Sequence, residues 1–231
     1  MSKQKKDHSE EEVLVDVGQS LSKAEHFFEE NRKSITFIAV ALFVIVGGYF
    51  AYLHLYQTPR EVEAQDSIFS AQNYFEQDSL RLALNGDGQN YGFIDVAEEY
   101  SGTKAGNLAN YYAGISYLNS GDYKNAIEYL DRFDSDDEIL SVIATGAIGD
   151  AFVELNQPKE ALDYYERATS GESNEFVVPF YLKKAGLIAE EQGDFKKAAK
   201  FYNRIKKDFG KSQEASDIDK YIARAETKMN K

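Results

Sequence analysis

Two hydrophobic patterns divide the chain. Residues 34–59 hold no Lys, Arg, Asp or Glu over 26 consecutive positions. Beyond residue 60, apolar side chains recur instead at three- and four-residue steps, without a useful run of period-two alternation. The continuous run, 23 residues over 34–56, makes a helix of about 35 Å, enough to cross a hydrocarbon core of ~30 Å with some tilt. The interrupted pattern predicts amphipathic helices. A shorter pattern precedes both: Ser9 and Glu12 have capping-box spacing, and Val13, Val17, Leu21, Ala24 and Phe28 line one helical face. Such a helix suits either the inner leaflet or a membrane partner. Its acidic neighbours favour the partner, because the inner surface is negative.

The apolar run reads as an anchor that stays. A secretory signal has an apolar stretch of about 7–15 residues and a small-residue cleavage site. Here 33 residues precede the run, and the bulky "YFAYLHLYQTPR" closes it. Tyr49, Tyr52 and Tyr56 are placed for the far interface, where amphipathic rings are enriched. Arg32 and Lys33 abut the near end, with Lys23, Lys3, Lys5 and Lys6 behind them, whereas only Arg60 lies within twenty residues on the other side. The positive-inside rule then puts the N-terminus in the cytoplasm and residues 57–231 across the membrane.

The larger part repeats itself. The segments "NYYAGISYLNSGDYKNAIEYLDRF", "TGAIGDAFVELNQPKEALDYYERA" and "LKKAGLIAEEQGDFKKAAKFYNRI" begin at Asn110, Thr145 and Leu182. Aligned, they place Gly114, Gly149 and Gly186 in one column and Ala126, Ala161 and Ala198 in another, the alanines 35 and 37 residues apart. Small residues there let two antiparallel helices approach closely, and Leu130, Tyr165 and Tyr202 supply bulk on the second. The steps Gly121-Asp122-Tyr123, Asn156-Gln157-Pro158 and Gly193-Asp194-Phe195 end one helix and start the next. A helix pair cannot bury its faces alone, so pairs stack into a right-handed solenoid with a concave wall. The expected fold is all-α, a single N-terminal transmembrane helix followed by an α-solenoid.

Five segments follow: 1–33, a cytoplasmic amphipathic segment; 34–56, the signal-anchor helix; 57–106, a long helix over 59–84 and, with "FIDVAEEY", a degenerate first pair; 107–212, three repeats; and 213–231, a polar-backed capping helix.

Composition narrows the chemistry. The net charge is -13, and the part after Tyr56 carries 20 Lys/Arg against 31 Asp/Glu. Such a surface repels phosphate backbones and argues against nucleic acid as a partner. The chain has no cysteine, which fits a periplasmic protein and equally a cytosolic one. His8, His26 and His54 all precede the repeats, so these have neither His-based acid/base chemistry nor the common zinc ligands.

Three fragments resemble sites. Ser101 and Lys104 have the S-x-x-K spacing of penicillin-binding enzymes, but no S-D-N or K-T-G follows. "NGDGQNYG", residues 85–92, is one residue off a dinucleotide fingerprint and follows a helical pattern rather than a strand. "DRFDSDDE", residues 131–138, gathers carboxylates without the glycine and terminal Glu of a calcium loop. Each reads better as a connection between helices. No enzyme, cofactor or metal site is expected.

The three aligned segments resemble the tetratricopeptide repeat, whose unit is 34 residues long. The signature Trp and the closing Pro are missing. The resemblance implies a groove lined by fixed positions of each first helix. Carried over, these are Tyr111, Ile115 and Leu118; Gly146, Asp150 and Val153; and Lys183, Leu187 and Glu190. Their mixed character suits an amphipathic or extended polypeptide.

The whole architecture resembles the YfgM-type ancillary subunit of the bacterial Sec translocon, and "GNLANYYAGISYLNSGDYKNAIEYL" is similar to its Bacteroidetes form. That resemblance implies a bacterial inner-membrane protein with a periplasmic repeat domain. Its implied partners are SecYEG, a PpiD-like periplasmic chaperone of the prolyl-isomerase fold, and secreted or outer-membrane client polypeptides. Gly47, Gly48 and Ala51 would either admit a close helix crossing or face lipid. An anchored scaffold of another envelope assembly is the alternative.

Overall fold

The computed structural model describes residues 26–27, 29–171 and 174–229. The amphipathic stripe through Val13, Val17, Leu21, Ala24 and Phe28, and its capping box, lie outside them. The chain forms two compact units, Met1–Pro59 and Arg60–Lys231. Among the described residues every regular element is helical.

In the first unit, α1 (Arg32–Tyr52) runs into a π-helical turn, Leu53–Gln57. Nothing in α1 is buried, and Phe43 is 79% exposed. An apolar face of that extent is stable only in a non-aqueous environment or against a partner. The helical stretch Arg32–Glu76 contains a window of mean hydropathy 2.2, long and apolar enough to cross a membrane. No Cβ built on Gly47 or Gly48 meets another atom within 4 Å.

The second unit begins within α2 (Thr58–Glu76). The single helix expected over 59–84 is in fact two. Asp78 takes a left-handed conformation, φ 57°, and the chain folds back into α3 (Leu80–Asn85). The Ser79 amide donates to Tyr74 O at 2.8 Å and the Asp78 amide to Phe75 O at 2.9 Å, the reciprocal pair of a Schellman motif. The first unit of the solenoid is therefore a three-helix corner of α2, α3 and α4 (Phe93–Glu99), rather than a helix pair. Its core joins Ala64, Ile68 and Ala71 to Leu84, Phe93 and Val96. Glu61 fixes the corner to the repeats: its carboxylate accepts from the Lys104 and Ala105 amides at 2.7 and 3.1 Å, capping α5 where orphan donors and the helix dipole favour an anion.

Three antiparallel pairs follow: α5 (Lys104–Ser120) with α6 (Tyr123–Arg132), α7 (Glu138–Glu154) with α8 (Pro158–Ala168), and α9 (Val178–Glu191) with α10 (Phe195–Asp208). Every intra-pair turn repeats the Schellman bonding, with Gly121, Asn156 and Gly193 left-handed at φ 83°, 56° and 78°. Asp122 and Asp194 then cap α6 and α10, while Gln157 makes no cap bond and α8 starts on Pro158.

The glycine column marks where paired helices touch. A Cβ on Gly114, Gly149 or Gly186 would collide with Leu130, Tyr165 or Tyr202, in each case the residue sixteen positions on. Ala126, Ala161 and Ala198 are wholly buried. After a 3-10 turn, Glu214–Asp217, α11 (Ile218–Met229) buries Ile218, Ile222 and Ala225 and turns a polar back to water.

Successive pairs are tied at a fixed distance along the chain. Lys184 reaches Asp150, Lys183 reaches Asp217, Gln192 reaches Pro158 O and Arg224 reaches Glu190, all across 34 residues. Through its bond to Glu190, α11 occupies the place of the first helix of a further repeat.

Candidate functional site

The first helices of the three pairs line a groove of about 430 Å³. Leu118 of α5, Val153 of α7 and Leu187 of α9 make its apolar lining, the first two half-buried and Leu187 40% exposed. Tyr123, at the start of α6, closes one end and donates its hydroxyl to the Glu154 carboxylate at 3.2 Å.

At its floor, Asp150 is held from two sides. The Tyr165 hydroxyl donates to Asp150 Oδ1 at 2.6 Å, and Lys184 Nζ bonds both carboxylate oxygens at 2.7 and 2.8 Å. Lys184 also sits over the Phe180 ring at 4.5 Å. Burial, then the Asp150 charge, pushes the Tyr165 hydroxyl far above the usual phenol value, and Tyr181 shifts the same way for the same reasons. The centre is thus a neutralised floor beneath half-buried Leu118 and Val153 and the exposed Leu187. It offers a place for a side chain.

Of the positions carried over from the repeat pattern, Leu118, Asp150, Val153 and Leu187 are brought together here. The others lie elsewhere. Tyr111 and Ile115 pack into the junction with Leu130, Ala144 and Ile148, the Tyr111 ring against Phe133 at 5.2 Å. Gly146 lies directly under the Tyr181 ring. Lys183 pairs with Asp217 at 2.9 Å. Glu190, its side chain 9% exposed, pairs with Arg224 at 2.9 Å. On α9 the groove is lined by Lys184, Leu187 and Ile188, so the neighbouring Lys184, rather than Lys183, faces in. Tyr123, Glu154, Tyr165, Lys184 and Ile188 were not among the sequence-derived positions. Counting 184, 187 and 188 as one helical face would have found the last two.

The three site-like fragments are structural. Ser101 lies in a turn and Lys104 is the first residue of α5, so the two do not share a helical turn as the Ser–Lys chemistry requires. In the 85–92 loop, Asp87 accepts from the Gln89 and Asn90 amides, the Asn90 side chain and the Tyr74 hydroxyl. These bonds hold its carboxyl well below the ordinary carboxylate range. In the 131–138 segment, Asp137 caps α7 by accepting from the Ile139 and Leu140 amides. Among the described residues, no group of three His, Cys, Asp or Glu side chains is arranged to hold a metal.

Comparison with known proteins agrees with this geometry. Residues 108–136 and 147–213 each match a tetratricopeptide repeat profile. No curated protein sequence matches significantly. A crystal structure of kinesin light chain nearly identical TPR-like repeats from Podosopora anserina is similar in fold, with a TM-score of 0.52 at 11% identity. The likeness covers 74% of this chain and 88% of that one. The chain therefore carries a solenoid of tetratricopeptide repeats, a scaffold for protein–protein interaction, together with one N-terminal helix long and apolar enough to span a membrane.

Proposed function

We propose that this chain is a non-enzymatic, membrane-anchored accessory subunit of the bacterial Sec channel that holds polypeptide in the groove of its periplasmic repeats. The observation that carries the binding role is the aliphatic lining of the groove, half-buried Leu118 and Val153 with the exposed Leu187. Apolar side chains left open on a concave wall are what a docking segment covers. The anchor is supported by α1, free of charged residues from Ser34 onward and buried nowhere. The basic flank at Arg32 and Lys33 supports an N-terminus in the cytoplasm and repeats in the periplasm.

The choice of the Sec channel rests on the architecture's resemblance to YfgM-type subunits. The expected partners are SecYEG, a PpiD-like chaperone and emerging secreted or outer-membrane polypeptides. Anchoring would hold the groove near the channel exit at high effective concentration. Residues 1–33 would lie in the cytoplasm, 34–56 would span, 57–106 would join the span to the repeats of 107–212, and 213–231 would close them.

Purification through a C-terminal tag from membranes in mild detergent tests the proposal. SecY and a PpiD-like chaperone are expected to come down with the wild type and to be depleted with Leu187→Asp. Recovery of a different envelope assembly, without SecY, would make the chain a scaffold of that assembly instead.

A further inference from the structure

The charges around the groove are not balanced, and their sign selects a partner. From Arg60 to Ser170 the chain has 7 Lys/Arg against 21 Asp/Glu, whereas 171–231 has 13 against 10. Of the groove walls it is the middle one, α7, that shares this excess: it carries Glu138, Asp150 and Glu154 and no lysine or arginine, whereas α5 has no acidic residue. The one lysine lining the groove, Lys184, is already neutralised by Asp150. Glu154 is exposed on the groove rim, its neighbour there the neutral Tyr123 hydroxyl. Glu191, one turn beyond Leu187, is exposed as well and has no cation against it. An incoming carboxylate would meet these charges, and the lysine in the lining is already taken.

From this charge pattern we infer that the groove takes a basic amphipathic polypeptide segment, one that inserts an aliphatic or aromatic side chain between Val153 and Leu187. Its lysine or arginine about one helical turn away meets Glu154 and Glu191. The apolar contact supplies most of the affinity. The carboxylates supply the choice between basic and acidic segments, because like charges across an interface are penalised and opposite ones accelerate encounter. This inference rests on the groove being the partner-binding face.

The test uses the full chain in nanodiscs of zwitterionic lipid, with empty discs as the control. Two fluorescent peptides of matched length are compared, Ac-GLKKLIKKLG-amide and Ac-GLEELIEELG-amide. The basic peptide is expected to bind at least tenfold more tightly. Raising the salt from 50 to 300 mM should weaken that binding, since exposed charges are screened. Glu154→Gln should weaken it about three- to fivefold, as for one solvent-exposed ion pair, and Leu187→Asp should abolish it. Lys200→Ala, an exposed change on α10, should leave it unaltered. Equal binding of both peptides, still lost in Leu187→Asp, would overturn the charge selection while leaving the groove as the binding face. Binding of neither peptide, or binding indifferent to Leu187→Asp, would overturn both.

Discussion

Gly149→Ala sets two opposing effects against each other. An alanine gains about 0.8–1.0 kcal/mol over glycine in a helix interior. Against that, its Cβ would sit 2.6 Å from Tyr165 Cε1 and 2.7 Å from Cδ1, with Ala161 O at 3.3 Å. The ring has little room to retreat. It is buried, hydrogen-bonded to Asp150 at 2.6 Å and stacked on Tyr181 with centroids 6.0 Å apart. Inserting a methyl into such packing costs about 1–3 kcal/mol, toward the upper end where nothing can move. The net expectation is destabilisation of about 1–2 kcal/mol. With a urea slope of ~2 kcal/mol/M, the midpoint should fall by about 0.5–1 M. The assay is urea unfolding of the detergent-solubilised chain followed by circular dichroism at 222 nm. The same substitution in a Tyr165→Ala background should instead be neutral or stabilising, because the ring is gone and only the propensity gain remains. A raised midpoint for Gly149→Ala alone would refute the close approach.

Three further outcomes are expected. Gln157→Asp should stabilise by about 0.5–1 kcal/mol in the same urea experiment, since it restores the cap that Asp122 and Asp194 provide in the other repeats. Arg224→Ala should cost about 2–4 kcal/mol, because it strands the largely buried Glu190 carboxylate. Hydrogen exchange should show α11 opening first. Burial raises the hydroxyls of Tyr165, Tyr181 and Tyr202 above the usual phenol value. The stability they contribute is complete below about pH 10, where the unfolded phenols are still protonated, and declines above it toward their folded values. A pH series of urea midpoints should therefore be insensitive to these groups from pH 7 to 9 and fall above 10.

The repeat was legible because close helix approach demands small residues at Gly114, Gly149 and Gly186, and reversal demands left-handed residues at Gly121 and Gly193. Both demands leave residue types behind. The corner at Asp78 was not legible, because apolar spacing continues through it without glycine or proline. A left-handed Asp is tolerated only by virtue of its short polar side chain. The groove was half legible for a related reason. Lys183 and Lys184 are chemically identical, and so are Glu190 and Glu191. Which of each faces the groove is settled by Asp217 and Arg224, partners 34 residues away that claim the other. Helical phase on a short amphipathic helix is fixed by such distant neighbours and leaves no local trace.

The most direct test of the central claim is photo-crosslinking in intact cells. A benzophenone amino acid would be placed at Leu187 in the groove and, separately, at Lys200 on α10, both exposed positions. The account predicts discrete adducts from Leu187, identified by mass spectrometry as a Sec-associated chaperone or exported polypeptides, and none of these from Lys200. Adducts that form equally from both positions, or from Lys200 alone, would contradict it.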